Sequence, residues 1–249
     1  MLALTHGRRS SRKSADRPIS GKRYRKQGMG KRQQKAAATK DAIFKATAKV
    51  VGRMGFAKAS MSAIAAEANV SYGRIYFYFE SQQDLFNKLL PYIGEDMLKF
   101  ISAKAKAGRN IAERERLAFL ANLEYVTRYP EIQRILNEAA VFTPGAYKEY
   151  FNRMANGYAR SLEKALDTGE QVLYQRSDAM TLALMFIGAR NFLIQHFTND
   201  GVIEMPPEEV KNIYLRTYAN AIGINVIDIL PSVTDSEKKK PSNRQSHKN

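Results

Sequence analysis

Helical spacing of apolar residues recurs from residue 34 to residue 224, and no window sustains the alternation of a half-buried strand. Between residues 34 and 54, Phe44, Ala48 and Val51 fall at i, i+4 and i+7, with Ile43, Thr47, Val50 and Met54 alongside. A chain built this way must bury one face of each helix against its neighbours, which predicts an all-α fold. About nine helices are expected, over 34–54, 61–67, 72–78, 82–106, 111–128, 131–141, 145–168, 177–198 and 207–224. Pro130, Thr143-Pro144, Ser177-Asp178 and Pro206-Pro207 supply stops and starts between them. Glu208 and Glu209 sit in a first turn, where the helix dipole favours carboxylates. Pro91 falls inside 82–106 and is expected to kink that helix.

The 249 residues include no Cys and no Trp. A disulfide framework, a thiolate metal site and a Cys nucleophile are therefore excluded. His6, His196 and His247 are too far apart in sequence to suggest a metal site. There is no phosphate-binding loop and no dinucleotide fingerprint, so neither an enzyme nor a cofactor is expected. No apolar run approaches the roughly 18–20 residues of a membrane span. The basic N-terminus lacks the apolar core of a secretory signal. The expectation is a cytoplasmic protein with no membrane partner.

The net charge of +16 is concentrated at the ends. Residues 1–40 hold thirteen Lys and Arg against Asp16 alone, and residues 235–249 hold five against Asp235 and Glu237. Residues 1–33 are expected to be a disordered basic arm and residues 231–249 a disordered basic tail, since neither can bury enough apolar surface to offset its ordering entropy. The body between them is nearly neutral. A basic arm ahead of the first helix suits a polyanion, because each phosphate it neutralises releases condensed counterions. The C-terminal tail suits either that role or solubility.

The stretch from Thr39 to Phe86 carries the functional signal. A helix of about five turns ends near Gly55, and Phe56 follows as an apolar plug. Ser60 is placed to cap a short helix whose Met61, Ile64, Ala65 and Ala68 share a face. Asn69-Val70-Ser71 then makes a tight turn, with Asn69 suited to positive φ. Ser71 caps a second short helix, in which Ile75 and Phe79 point to the core. Two short helices joined this way form a helix-turn-helix, and the second is the recognition element. Arg74, near its start, can reach a guanine edge, and Gly73 leaves room for close approach. Tyr and Ser hydroxyls can hold phosphate oxygens and fix register.

Gly55-Phe56, Ser60, Ile64-Ala65, Ala68-Asn69-Val70-Ser71, Gly73-Arg74-Ile75-Tyr76-Phe77-Tyr78-Phe79 and Ser81-Gln82-Gln83-Asp84-Leu85 agree in order and spacing with one family pattern. The segment resembles the DNA-binding domain of the TetR family of bacterial transcriptional regulators. It departs at Asn69, where glycine is usual, and at Gln82, where a phosphate-binding lysine is common. The resemblance implies DNA contacts by Ser60, Ser62, Ser71, Tyr72, Gly73, Arg74, Tyr76, Tyr78 and Gln82. Competing internal roles are a helix cap for Ser60, packing on the first helix for Tyr76 and Tyr78, and a Glu67 ion pair for Arg74. The resemblance also implies a DNA-binding domain over 34–81 and a helical ligand-binding and dimerisation domain over 82–230.

One short recognition helix reads few base pairs, so a homodimer on a palindromic operator is expected, paired through residues of about 177–224. Residues 179–197 are apolar on more than one face. The candidate pocket residues are Tyr125, Arg128, Asn137, Glu138, Phe142, Met185, Arg190 and Asn191, with His196 a weaker candidate. A buried Arg190 would need an acid, with Glu138 the candidate, or an anionic ligand. The expected function is a repressor released from its operator by a small apolar or acidic ligand, with helix 82–106 as the lever. The alternative is a DNA-binding protein of the same fold with no small-molecule effector, acting architecturally or through a protein partner. A closed apolar cavity of roughly 300–1,000 Å³ separates the two readings.

Overall fold

The computed structural model describes residues 30–170, 172–199 and 201–230. The basic arm as far as residue 29 and the tail from residue 231 lie outside these residues. Lys31–Gln33, expected to belong to the arm, open the first helix instead.

The described residues form ten α-helices: α1 Lys31–Met54, α2 Met61–Glu67, α3 Tyr72–Tyr76, α4 Gln82–Ala105, α5 Ile111–Arg128, α6 Glu131–Phe142, α7 Pro144–Asp167, α8 Ala179–His196, α9 Glu208–Ile222 and α10 Val226–Ile229. The fold is all-α as expected, with three additions. A 3₁₀ turn, Arg176–Asp178, leads into α8. A two-residue antiparallel hairpin pairs β1 (Thr198–Asn199) with β2 (Val202–Ile203) around Gly201, which has φ 79°. The short α10 packs on α5 and α9. Each is too short to leave a periodic signature in sequence.

Local chemistry accounts for the helix ends. Ser60, Ser81 and Asn110 each accept a bond from a first-turn amide, capping α2, α4 and α5. Asn69 adopts φ 52° after α2, as its residue type allows. Gly223 ends α9 in the left-handed region. Helix α4 continues through Pro91.

One apolar cluster holds together α1, α2 and α3, the unit expected to read DNA and called the reading head below. Ile43, Val50, Val51, Ile64, Ile75 and Leu85 are wholly buried in it. Phe79 meets Phe44 edge-on at 5.2 Å, and Phe44 stacks on Tyr92 of α4 at 4.4 Å. The Phe56 plug lies edge-on to Phe86 of α4 and stacks on Phe142 at the end of α6. Helix α4 runs on from this cluster to pack on α5 and α7, and α7 in turn packs on α6 and α8.

Contrary to the sequence expectation, the stretch Arg176–His196 is long and apolar enough to cross a membrane by length and composition. Its inner face is committed to protein: Ala183, Phe186, Arg190 and Ile194 are buried.

Helix α1 and helix α6 cross at Gly52, where a Cβ would lie 2.2 Å from the Glu131 Cβ and 2.9 Å from its Cα. Alanine would favour the helix backbone by roughly 1 kcal/mol. The clash is with backbone and should outweigh that gain. Gly52→Ala is expected to destabilise the protein by about 1–2 kcal/mol in urea denaturation. Gly145→Ala, with nothing within 4 Å, is expected to leave stability unchanged or slightly raised.

Candidate nucleic-acid interface and ligand cavity

Helix α3 is anchored by Ile75, which is fully buried, while most of its remaining surface is open. Tyr72 is 52% exposed, and Tyr72, Gly73, Arg74 and Tyr76 stand on the outer side with Ser62 and Ser71. The Ser71 side chain makes no cap bond, so its hydroxyl is unused within the helix start. A Cβ on Gly73 would meet nothing within 4 Å. The glycine therefore serves no internal contact, and a missing side chain there matters only to something that approaches from outside.

Arg74 has no ion-pair partner among the described residues. Glu67, its expected competitor, faces Arg53 at 3.3 Å and Lys49 at 3.7 Å instead. The Arg74 guanidinium donates to the Tyr78 hydroxyl at 3.2 Å and lies over the Phe77 and Tyr78 rings. Tyr72 and Tyr76 share a hydroxyl–hydroxyl bond of 3.1 Å. That bond raises the Tyr76 pKa above its usual value. Ser60 caps α2 through its hydroxyl oxygen, which leaves its O–H free to donate. Gln82 commits one amide hydrogen to the Ala59 carbonyl at 2.9 Å, tying α4 to the entrance of α2. Its first role is thus structural. Phe77, absent from the expected contacts, is 71% exposed beside Arg74. The sequence signal was available: Ile75 and Phe79 occupy the core positions, which turns Phe77 outward.

A cavity of about 160 Å³ lies among α4–α9. It lies below the range set for an effector pocket, and its wall is mostly apolar, with Arg114, Glu115, Asn122, Gln133 and Arg190 set into it. Two of the eight expected pocket residues, Arg190 and Asn191, line it. Tyr125 is buried beside it with its hydroxyl bonded to Asp96. Arg128 is exposed and pairs with Glu124 at 3.3 Å. Asn137 accepts a bond from Gln133 without reaching the cavity wall. Glu138 and Phe142 turn toward the end of α1. Met185 is 63% exposed on the outer face of α8, and His196 is exposed as well. Helix register explains these misses: sequence periodicity gives a buried stripe but not which neighbour it meets.

The acid opposite Arg190 is Glu115 of α5, not Glu138. Both are buried, and the Arg190 Nε also donates to the Tyr214 hydroxyl at 2.6 Å. Tyr214 in turn donates to Glu115 at 3.2 Å. The guanidinium lies over the rings of Phe119, Tyr158 and Tyr214. Burial alone would lower the Arg190 pKa, but the Glu115 charge outweighs it and holds the group well above its ordinary value. Burial pushes the Tyr214 hydroxyl up, so it stays protonated. A second pair joins Arg114, also on the cavity wall, to Glu170 at 2.5 Å, and the Arg114 Nε is buried without a partner.

Two helices join the cavity to the reading head. Helix α4 lines the cavity with Met97 and Ile101 and packs Leu85 and Phe86 into the reading head. Helix α6 lines it with Gln133 and Leu136, while its other face grips the end of α1. There Arg134 donates to the Arg53 carbonyl at 2.9 Å, and Glu138 accepts from the Phe56 amide at 2.8 Å.

These features define a helix-turn-helix protein whose helical body holds a small, partly open cavity. Residues 43–89 match the model of the bacterial regulatory proteins of the tetR family. A curated relative, the HTH-type transcriptional repressor NicS of Pseudomonas putida, is 35% identical over 112 residues, covering 43% of this chain and 50% of the relative. The chain thus spans about half the length of that relative. The fold is similar to that of the transcriptional regulator FadR from Bacillus subtilis, solved in complex with stearoyl-CoA, at TM-score 0.58 and 18% identity over 73% of this chain and 98% of that one. It is similar also to RolR in complex with resorcinol, at TM-score 0.52 and 14% identity over 79% and 93%.

Arg190→Met is expected to destabilise the protein by about 3–5 kcal/mol in urea denaturation, because it strands the buried Glu115. The double variant Glu115→Leu with Arg190→Met is expected to recover most of that loss. Equal losses in the single and double variants would show that packing rather than charge pairing holds the site.

Proposed function

We propose that the protein is a dimeric transcriptional repressor that reads a palindromic operator through α3 and leaves it when a small molecule fills the cavity. The observation that carries this reading is the pairing of an exposed recognition helix, whose Arg74 has no acid partner, with a cavity walled by the two helices that hold the reading head. Arg74 reads a base edge, Tyr72, Tyr76, Ser62 and Ser71 position the backbone, and Ser60 adds its O–H to a phosphate. Phe77 supplies an apolar contact to a sugar or a thymine methyl. The name of NicS supports a repressor, and the ligands in FadR and RolR support a small-molecule effector.

Release follows from differential affinity. A ligand that fits one spacing of the two reading heads better than the other shifts the population toward it. The levers are α4, expected from sequence, and α6, which couples Gln133 and Leu136 to the Arg134–Glu138 grip on α1.

The dimer surface is the outer face of α8 with α9. Leu184, Met185, Phe192 and Ile213 are exposed there, and Gly188 has open space where a side chain would be. Phe192, 75% exposed, lies along a groove with Val210 and Ile213. Phe192→Asp is expected to convert the dimer to a monomer in sedimentation velocity and to weaken operator binding while leaving the helical content intact.

Selection of bound sequences from a random DNA pool at two salt concentrations tests the DNA reading. A palindromic motif recovered at both supports a dimeric, sequence-specific regulator. Binding without a motif that vanishes at the higher salt overturns it and favours an architectural role. With the operator in hand, Arg74→Ala is expected to cost about 1–3 kcal/mol and to relax preference at one position per half-site. Uniform weakening on all sequences would make Arg74 a phosphate contact instead.

A further inference from the structure

We propose that the cavity selects an uncharged ligand about the size of a single ring, carrying both a hydrogen-bond donor and an acceptor. The inference rests on the effector reading above and specifies the chemistry of that site.

Size sets the first limit. A cavity of about 150 Å³ is enough to bind benzene in an engineered protein core. The 160 Å³ here matches that scale, so a single ring fills it and a longer ligand would extend out through its open side.

Charge sets the second. The cationic groups on the wall are Arg114 and Arg190, and each already faces a carboxylate, Glu170 and Glu115 respectively. A ligand carboxylate approaching Arg190 would meet the Glu115 charge at close range. A ligand cation would meet two guanidinium groups beside one carboxylate, Glu115, whose charge Arg190 already engages. Either ion would also lose its hydration on entry, a cost that a neutral molecule avoids.

Unmet hydrogen bonds set the third. The buried Arg114 Nε has a hydrogen and no acceptor. On the opposite account, the bonds to Glu115 from Arg190 and Tyr214 both go to Oε1, which leaves Oε2 as an acceptor on the cavity wall. Asn122 and Gln133 use their amide nitrogens on Met97 and Asn137, which leaves their amide oxygens. A ligand oxygen answers the donors on the wall, Arg114 and Asn191, and a ligand N–H or O–H answers the carboxylate or an amide oxygen. The remaining wall, from Leu98, Ile101, Phe151, Met154 and Ile187, is apolar and suits the ring.

Benzamide, benzoate and benzamidinium share one shape and carry no charge, a negative charge and a positive charge. Isothermal titration calorimetry of the full chain at neutral pH, without DNA, compares them directly. The expected result is that benzamide binds at least about tenfold more tightly than either ion. Ala118→Phe, which fills the cavity from α5, is expected to abolish that binding. Glu115→Gln frees the Arg190 charge and is expected to move the preference toward benzoate. The proposal is overturned if either ion binds as tightly as benzamide, if none of the three binds up to its solubility limit, or if binding survives Ala118→Phe. Because no DNA is present, these outcomes leave operator recognition untouched. Benzamide that binds but does not release the operator would remove the effector reading and keep the cavity's ligand preference.

Discussion

The backbone at the end of α1 cannot satisfy itself. The last carbonyls of a helix have no partner within it, and Gly55 turns the chain into the left-handed region before Phe56. Here the missing partners come from another helix: Arg134 reaches the carbonyls of Arg53 and Gly52, and Glu138 takes the amide of Phe56. Arg134 and Glu138 also bond each other at 2.9 Å, so one ion pair serves both sides of the turn. The Gly52 position allows α6 to come this close, and Phe142 then stacks on Phe56. The reading head is thereby fixed to a helix whose opposite face borders the cavity. Small residues, a charged clamp and an aromatic plug act as one joint.

On the proposed reading, that joint gives the cavity a route to α3. A ligand pressing on Gln133 or Leu136 would act on the same element that holds Phe56, and one pressing on Met97 on the helix that carries Phe86. The charge pattern constrains what presses. Arg190 is buried among aromatic rings and survives there because Glu115 and Tyr214 meet its donors. A pair of that kind contributes little net stability, since desolvation offsets attraction, but it fixes where α5, α8 and α9 meet. The same neutralisation removes any uncompensated charge from the wall.

Much of this was written locally in the sequence. The bounds of α2 and α5 follow from Ser60, Asn110 and Pro130. The left-handed Asn69, the buried Ile75 and Phe79 and the open Gly73 all follow from residue type and spacing over fewer than fifty residues. The tertiary partners were not legible. Glu115 and Arg190 are brought together by helices far apart in the chain, and nothing in either helix alone names the other. Glu138 was a reasonable partner by residue type, but its face of α6 belongs to α1. Phe142 and Met185 illustrate the same limit. Both are large and apolar on amphipathic or apolar helices, and only the packing of whole helices decides that one plugs a joint and the other faces outward.

Helix α8 shows why apolar content alone is ambiguous. Its length and composition would suit a membrane, yet its inner face carries Arg190 bonded to α5 and α9. Its outer face mixes Leu184, Met185 and Phe192 with Thr181, Gln195 and His196, all exposed. A lipid-facing surface would leave those polar groups without water. A protein partner can place them at a rim while burying the large apolar side chains at the centre. Gly188 adds the remaining piece, because open space over a glycine in mid-helix lets a second backbone approach closely. On the proposed reading that second backbone is another copy of α8, and the two-fold axis that pairs them also sets the distance between two recognition helices.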